Sequence, residues 1–204
     1  MPNDTLTYLA LGDSYTVGQS VQQPQSFPYQ LAAALPGFAN HHVPQPTLIA
    51  ATGWTTDNLI YAIGQSGLKS NFSFVTLLIG VNDQYQKLSQ DNYKIKFAGV
   101  LNTAISFAGG DATRVFVLSI PDWGVTPFGG GRDNIIGPEI DQFNAINKSI
   151  STKAGVNYLD ITAISRQAAN DPSLVAVDDL HPSGKMYGLW VQNLEVMVAA
   201  RFKK

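Results

Sequence analysis

The stretch that decides the fold is Leu9-Ala10-Leu11-Gly12-Asp13-Ser14-Tyr15-Thr16-Val17-Gly18. An apolar run from Leu6 to Leu11 reaches Gly-Asp-Ser and then turns. A continuous apolar run of this length reads as a strand buried on both faces, and the turn delivers Ser14 to its carboxyl end. Two readings of that serine stand side by side. A serine after a strand commonly caps the next helix. It is a nucleophile when a base and an oxyanion site lie close by. The stretch is not the G-x-S-x-G elbow, since Asp13 precedes Ser14. It is not a nucleotide loop either: Gly12 and Gly18 frame neither a Walker Lys-Ser/Thr ending nor a G-x-G-x-x-G pattern.

Outward from Ser14, similar apolar runs recur at Thr47–Ala51, Phe74–Ile79, Arg114–Ile120 and Val156–Ile161. Longer patterns of helical period lie between them: Tyr29–Leu35, Thr55–Ile63, Asn92–Phe107, Gly137–Lys153 and Gly184–Phe202. Pro36-Gly37, Gly64, Gly109-Gly110 and Gly155 read as stops, and Thr55 or Thr56 as an N-cap. Strands that alternate with helices predict an α/β three-layer sandwich around a parallel sheet. The 204 residues hold no repeat or linker, so one domain over 1–204 is expected. Two stretches look irregular, Gly37–Pro46 and Pro121–Asn134. Ligands in such sheets sit outside the carboxyl ends of the strands. The second stretch leaves the fourth strand there, which makes it a candidate substrate loop as well as an ordinary surface loop.

Composition narrows the chemistry. Apolar residues make up 45% and charged residues 14%, which suits a folded domain and not a disordered one. The net charge of -2 argues against nucleic acid as a partner. Arg201, Lys203 and Lys204 read as a solvated helix end. With no cysteine, disulfides and thiolate chemistry are excluded. No run approaches the roughly 20 apolar residues of a membrane span. Met1-Pro2-Asn3-Asp4 lacks the basic and apolar regions of a signal peptide, so a cytoplasmic protein is expected, or a secreted or periplasmic one if a leader was removed.

The base has few candidates. The histidines are His41, His42 and His181. His41-His42 lies in a polar, proline-flanked stretch and reads as solvent-exposed loop, with no carboxylate or cysteine at ligand spacing for a metal. His181 lies in Val177-Asp178-Asp179-Leu180-His181-Pro182, just before the last helix. From three residues upstream, Asp178 can reach the imidazole Nδ1 across a turn and leave Nε2 free to accept a proton. The same spacing also suits an Asp that caps a turn beside a surface histidine. Ala51-Thr52-Gly53-Trp54 and Ile79-Gly80-Val81-Asn82-Asp83 follow the second and third strands as Gly12-Asp13-Ser14 follows the first. The Gly53 N–H, the Asn82 amide and the Ser14 N–H would give three oxyanion donors. A turn glycine and an Asx-turn asparagine are the plainer explanations.

Taken in order, Gly12-Asp13-Ser14, Gly53, Gly80-x-Asn82-Asp83 and Asp178-x-x-His181 resemble the four blocks of the SGNH hydrolases, the GDSL-type esterases and lipases. Tyr15 stands where many members carry leucine. The resemblance implies a five-stranded, doubly wound, flavodoxin-like sheet between helices. It implies Ser14 as nucleophile and His181 as general base, oriented by Asp178, with Asp179 as the near alternative. It implies an oxyanion hole of Ser14, Gly53 and Asn82, and no metal or organic cofactor. Asp13 and Asp83 are expected to hold their turns by hydrogen bonds.

The expected substrate is a small ester cleaved through an acyl-enzyme. No long apolar lid helix stands out, which favours short-chain or lysophospholipid-like esters. Trp123 and Phe128 are expected to form a mobile wall of the acyl pocket, with Trp54 opposite, or else to pack as core. Carbohydrate O-acetyl esters and thioesters are alternative substrates. A non-catalytic binding module on the same fold is the alternative of another class. Oligomeric state is not legible.

Overall fold

Five short strands alternate with helices along the chain. The computed structural model describes residues 5–39, 41–69 and 71–202. In chain order these are β1 (Tyr8–Gly12), α1 (Ser14–Val17), α2 (Phe27–Ala39), β2 (Thr47–Ala50), α3 (Thr56–Gln65), β3 (Phe74–Leu78), α4 (Val81–Tyr85), α5 (Gln90–Phe107), β4 (Val115–Leu118), α6 (Asp133–Ala154), β5 (Asn157–Leu159), α7 (Thr162–Ser165) and α8 (Gly184–Phe202). The strands form one parallel sheet of order β2-β1-β3-β4-β5. Leu11 is in register with Ile49 on one side and Leu77 on the other. Helices α2 and α8 pack together, and α3, α5 and α6 pack in succession. Right-handed crossovers from a sheet of this order put the two groups on opposite faces, the doubly wound flavodoxin-like arrangement.

The order explains the burial. Strands β1, β3 and β4 are buried throughout, whereas β2 and β5 stand at the edges and are only partly covered. The expectation that all these apolar runs are buried on both faces therefore holds for the three central strands and not for the edge strands β2 and β5. Strand order reverses at β1, between β2 and β3. The cleft of a doubly wound sheet opens at that switch point. Three turns meet there: β1–α1, β2–α3 and β3–α4.

Several boundaries differ from expectation. Helix α2 continues through Pro36 instead of stopping there. The Gly37–Pro46 stretch is thus helical to residue 39, and residue 40 lies outside the described residues. Helix α6 starts at Asp133, four residues before Gly137, and carries Pro138 at its sixth position, where the missing N–H forgoes one intrahelical bond. Thr55 caps α3 in a reciprocal box with Asn58. Arg201 is not a merely solvated residue: it pairs with Asp111 at 2.8 Å and donates to Thr113. Lys203, Lys204 and Met1–Asp4 lie outside the described residues. Among the described residues, no helix is long and apolar enough to cross a membrane.

Candidate active site

Ser14 opens α1 at the end of β1. The preceding Asp13 caps this short helix, its Oδ1 accepting the Tyr15 N–H at 3.0 Å. The serine is held almost entirely out of solvent, 4% exposed. Its Oγ lies 3.0 Å from Nε2 of His181, 167 residues further on. The Nδ1 of that ring lies 2.6 Å from Oδ2 of Asp178. With the ring proton on Nδ1, the imidazole donates to Asp178 and leaves Nε2 to accept from the serine hydroxyl.

Asp178 is fixed from three directions. Its Oδ1 accepts the backbone N–H groups of Leu180 and His181 at 3.1 and 2.9 Å. Its Oδ2 accepts the Ser20 hydroxyl at 2.6 Å in addition to His181. Partial burial works against its charge, but the donors from Ser20, His181 and Leu180 outweigh it and hold the carboxyl at about 2. Asp179 plays no such part. It sits in the left-handed region at φ +61° and offers its backbone carbonyl to the Phe128 N–H.

The neighbouring turns converge on the serine. Gly53 has φ +79°, and a Cβ placed there would meet nothing within 4 Å. A side chain would thus stand in open space on the approach to Ser14, in a backbone conformation that disfavours it. Asn82, in α4, donates one amide hydrogen to the Trp54 carbonyl at 3.0 Å. That bond ties the β3–α4 turn to the β2–α3 turn and leaves the second amide hydrogen. Asp83 adds another tie: its Oδ2 accepts both the N–H and the hydroxyl of Thr56, at 2.9 and 3.1 Å. Asp83 thus anchors the neighbouring helix start, a reach beyond the local turn expected for it. Burial raises its carboxyl. Burial also pushes Asp13 up, to about 8, with the Asp83 charge adding to it.

A cavity of about 190 Å³ opens over these groups, lined by Ser14, Tyr15, Gly53, Asn82 and His181 and walled by Tyr85, Trp123 and Phe128. Tyr15 also lies against the His181 ring, 5.2 Å between centroids. Trp123 is buried at 5% exposure and Phe128 is 43% exposed, so one of the two expected wall residues belongs to the core and the cavity alike. The Trp123 indole donates to Gln84 Oε1 at 2.8 Å, and Gln84 Nε2 donates to Glu139.

The wall is not a wholly irregular loop. It comprises two short 3₁₀ turns, Trp123–Val125 and Pro127–Gly129, and α6 begins before residue 134. At Gly129 a Cβ would lie 2.2 Å from the Gly124 carbonyl oxygen, so the close approach of the two turns requires glycine. Asp122 anchors the first turn, accepting from the Gly124 N–H and from Arg166, each at 2.9 Å.

Trp54 does not line the cavity. Its side chain packs against the core, and its contribution to the site is its carbonyl. His41 and His42 lie before β2, at the end of the sheet away from Ser14. His42 is exposed, but His41 is buried, its Nε2 3.0 Å from the Phe202 carbonyl oxygen, which corrects the expectation of two solvated histidines. Among the described residues, no three histidine or carboxylate side chains are grouped to hold a metal. The site residues that escaped sequence reasoning are Ser20, Gln84 and Tyr85. Each is an ordinary polar or aromatic residue near a motif, with nothing local to mark it.

Comparison with known proteins gives the family and agrees with the fold. Residues 10–189 match the model of the GDSL-like lipase/acylhydrolase family, and the chain belongs to that family. Solved structures share the fold over nearly the whole chain. A lipase/acylhydrolase from Enterococcus faecalis has TM-score 0.76 at 16% identity, covering 97% of this chain and 96% of that one. An acetylxylan esterase from Geobacillus stearothermophilus has TM-score 0.74 at 15% identity, covering 99% and 98%. A member of the lipolytic G-D-S-L family from Veillonella parvula has TM-score 0.70 at 18% identity, covering 93% and 97%. No match was found among curated protein sequences.

Proposed function

We propose that this protein is a serine ester hydrolase that cleaves short-chain carboxylic esters through an acyl-enzyme. The observation that carries this reading is the continuous path Ser14 Oγ, His181 Nε2, His181 Nδ1, Asp178 Oδ2, with contacts of 3.0 and 2.6 Å, at the mouth of an aromatic-walled cavity. In this mechanism His181 takes the Ser14 proton as Oγ attacks the ester carbonyl carbon. Asp178 stabilises the imidazolium that forms. The oxyanion is received by the N–H groups of Ser14 and Gly53 and by the Asn82 amide. Collapse expels the alcohol, protonated by His181. Water then attacks the acyl-enzyme by the same route and releases the acid and Ser14.

The size of the cavity favours a short acyl group. About 190 Å³ walled by Val81, Tyr85, Trp123, Phe128 and Leu180 accommodates a few carbons and not a long chain. The alcohol side is more open, since Thr52 and Gly53 are exposed and nothing crowds Gly53. That openness favours tolerance for the leaving group, and it supports acetylated carbohydrate as a second substrate class on the same chemistry.

The test is turnover of nitrophenyl esters from acetyl to palmitoyl by wild type and Ser14→Ala. The reading expects wild-type turnover that declines with chain length and is abolished by the substitution. Activity that survives Ser14→Ala would overturn the nucleophile. Equal inertness of both folded proteins, on these esters and on acetylated xylan, would move the protein to the binding modules.

A further inference from the structure

Directly after the nucleophile helix the chain makes a turn that the mechanism above does not use. The N–H groups of Gly18 and Gln19 both donate to the Ser14 carbonyl, each at 3.0 Å. Gly18 and Ser20 both stand in the left-handed region, at φ +81° and +66°. For serine this conformation is uncommon and is held by its surroundings. It aims the Ser20 hydroxyl across the site, where it donates to Asp178 Oδ2 at 2.6 Å over a separation of 158 residues.

The other bonds of Asp178 are of a different kind. Its partners Leu180 N–H, His181 N–H and His181 Nδ1 all belong to its own loop. They fix the carboxylate within that loop but say nothing about where the loop stands relative to Ser14. Ser20 is the direct bond from the nucleophile's own turn to the carboxylate. The same turn reaches the opposite way through Gln19, whose Oε1 accepts the Thr52 hydroxyl at 2.6 Å, beside Gly53.

We propose that Ser20 is a positioning residue for ester hydrolysis, acting through Asp178. Its hydroxyl locks the acid-bearing loop to the turn that carries Ser14, and it shares the negative charge on the oxygen facing His181. The proposal rests on the reading of Ser14, His181 and Asp178 as the reacting groups. The phenols of Tyr15 and Tyr187 also feel the Asp178 charge, and both are kept protonated by burial; Asp179 is the neighbouring carboxylate in the same loop. Ser20 and His181 are the side chains hydrogen-bonded to the carboxylate.

The experiment compares wild type, Ser20→Ala and Ser20→Gly. Both variants should lose kcat roughly tenfold with KM unchanged, within the ~100-fold that a small misplacement of a catalytic group costs. In both, the acid limb of kcat/KM should move to higher pH, because a carboxylate that has lost a donor stabilises the protonated ring more strongly. Glycine relaxes the left-handed backbone and alanine does not. Wild-type kcat in Ser20→Gly alone would mean that conformation and not the hydroxyl matters, and would overturn the proposal, as would an unmoved acid limb. The Nδ1 proton resonance of His181, followed by NMR without substrate, should shift and exchange faster in Ser20→Gly. An unchanged resonance defeats the proposal even if no ester is turned over. Loss of ester turnover in Ser14→Ala tests the underlying reading separately.

Discussion

The floor of the site and its wall are built by opposite means. The floor consists of three strand-end turns at the point where the strand order reverses. Its polar groups are largely buried, with Asp83 tied to Thr56 and Asn82 to Trp54 across neighbouring turns and Asp13 to Tyr15 within its own. The wall consists of two 3₁₀ turns that project from the end of β4 and carry a half-exposed Phe128. It is held by longer-range side-chain bonds, Trp123 to Gln84 and Asp122 to Arg166, and by the Phe128 N–H on the Asp179 carbonyl. The contrast separates reaction from selectivity. Reacting atoms need placement to fractions of an ångström, which a buried sheet edge provides. The shape of an acyl pocket can vary without touching that placement.

The comparison is most directly broken at the floor. Ser14→Ala should leave the fold intact and reduce kcat/KM by ~10⁴ or more, read from a nitrophenyl acetate assay alongside circular dichroism. Asn82→Ala comes next, with a loss of roughly 10²–10³ in kcat from one missing oxyanion donor. Wild-type turnover in that variant would remove Asn82 from the site. At the wall the effect should be of another kind. Phe128→Ala should change the ratio of acetyl to octanoyl turnover by about tenfold in favour of the longer chain, the scale of a pocket contact. Its melting temperature should barely move, since the side chain is half exposed. If Phe128→Ala instead lowers turnover equally for every chain length, the division between floor and wall fails.

The smallest effect sharpens the account of the floor through pH. The Asp13 carboxyl is raised to about 8 in the folded protein against an ordinary 3.8. Between those values the folded state keeps a proton that the unfolded state has lost. Its contribution to stability is therefore full below about pH 4 and declines as pH rises, until it is gone above about 8. Asp13→Asn removes that titration. The drop in melting temperature between pH 5 and 8 should be shallower in the variant than in wild type. Equal slopes would mean that Asp13 is ionised in its buried turn.

Much of this was readable before any coordinates. Asp13, Ser14, Gly53 and Asn82 follow the ends of apolar runs, and a strand-end position in a parallel sheet is by itself a position at the cleft. Local spacing also carried Asp178, because a carboxylate three residues before a histidine can close on it within one turn. Edges of elements were less legible. Pro36 looks like a helix break, yet it lies within α2, where packing outweighs a lost bond. Trp54 looked like a wall and proved to pack against the core, because the direction of a side chain at a turn depends on what the turn packs against.

What the chain alone determined was the alternation of strands with helices and, through the resemblance of four short blocks to the GDSL-type hydrolases, a candidate reacting set and the class of chemistry it would perform. These follow from periodicity and from residue type at short spacing, which are local properties. What only the tertiary structure decided were the relations between distant segments: Ser20 on Asp178, Gln84 on Trp123, Phe128 on Asp179, and the volume they enclose. Each joins residues tens to more than a hundred positions apart through bonds that leave no periodic trace. They are created when the sheet brings its strand ends together, and a side chain's partner is then set by packing instead of by sequence.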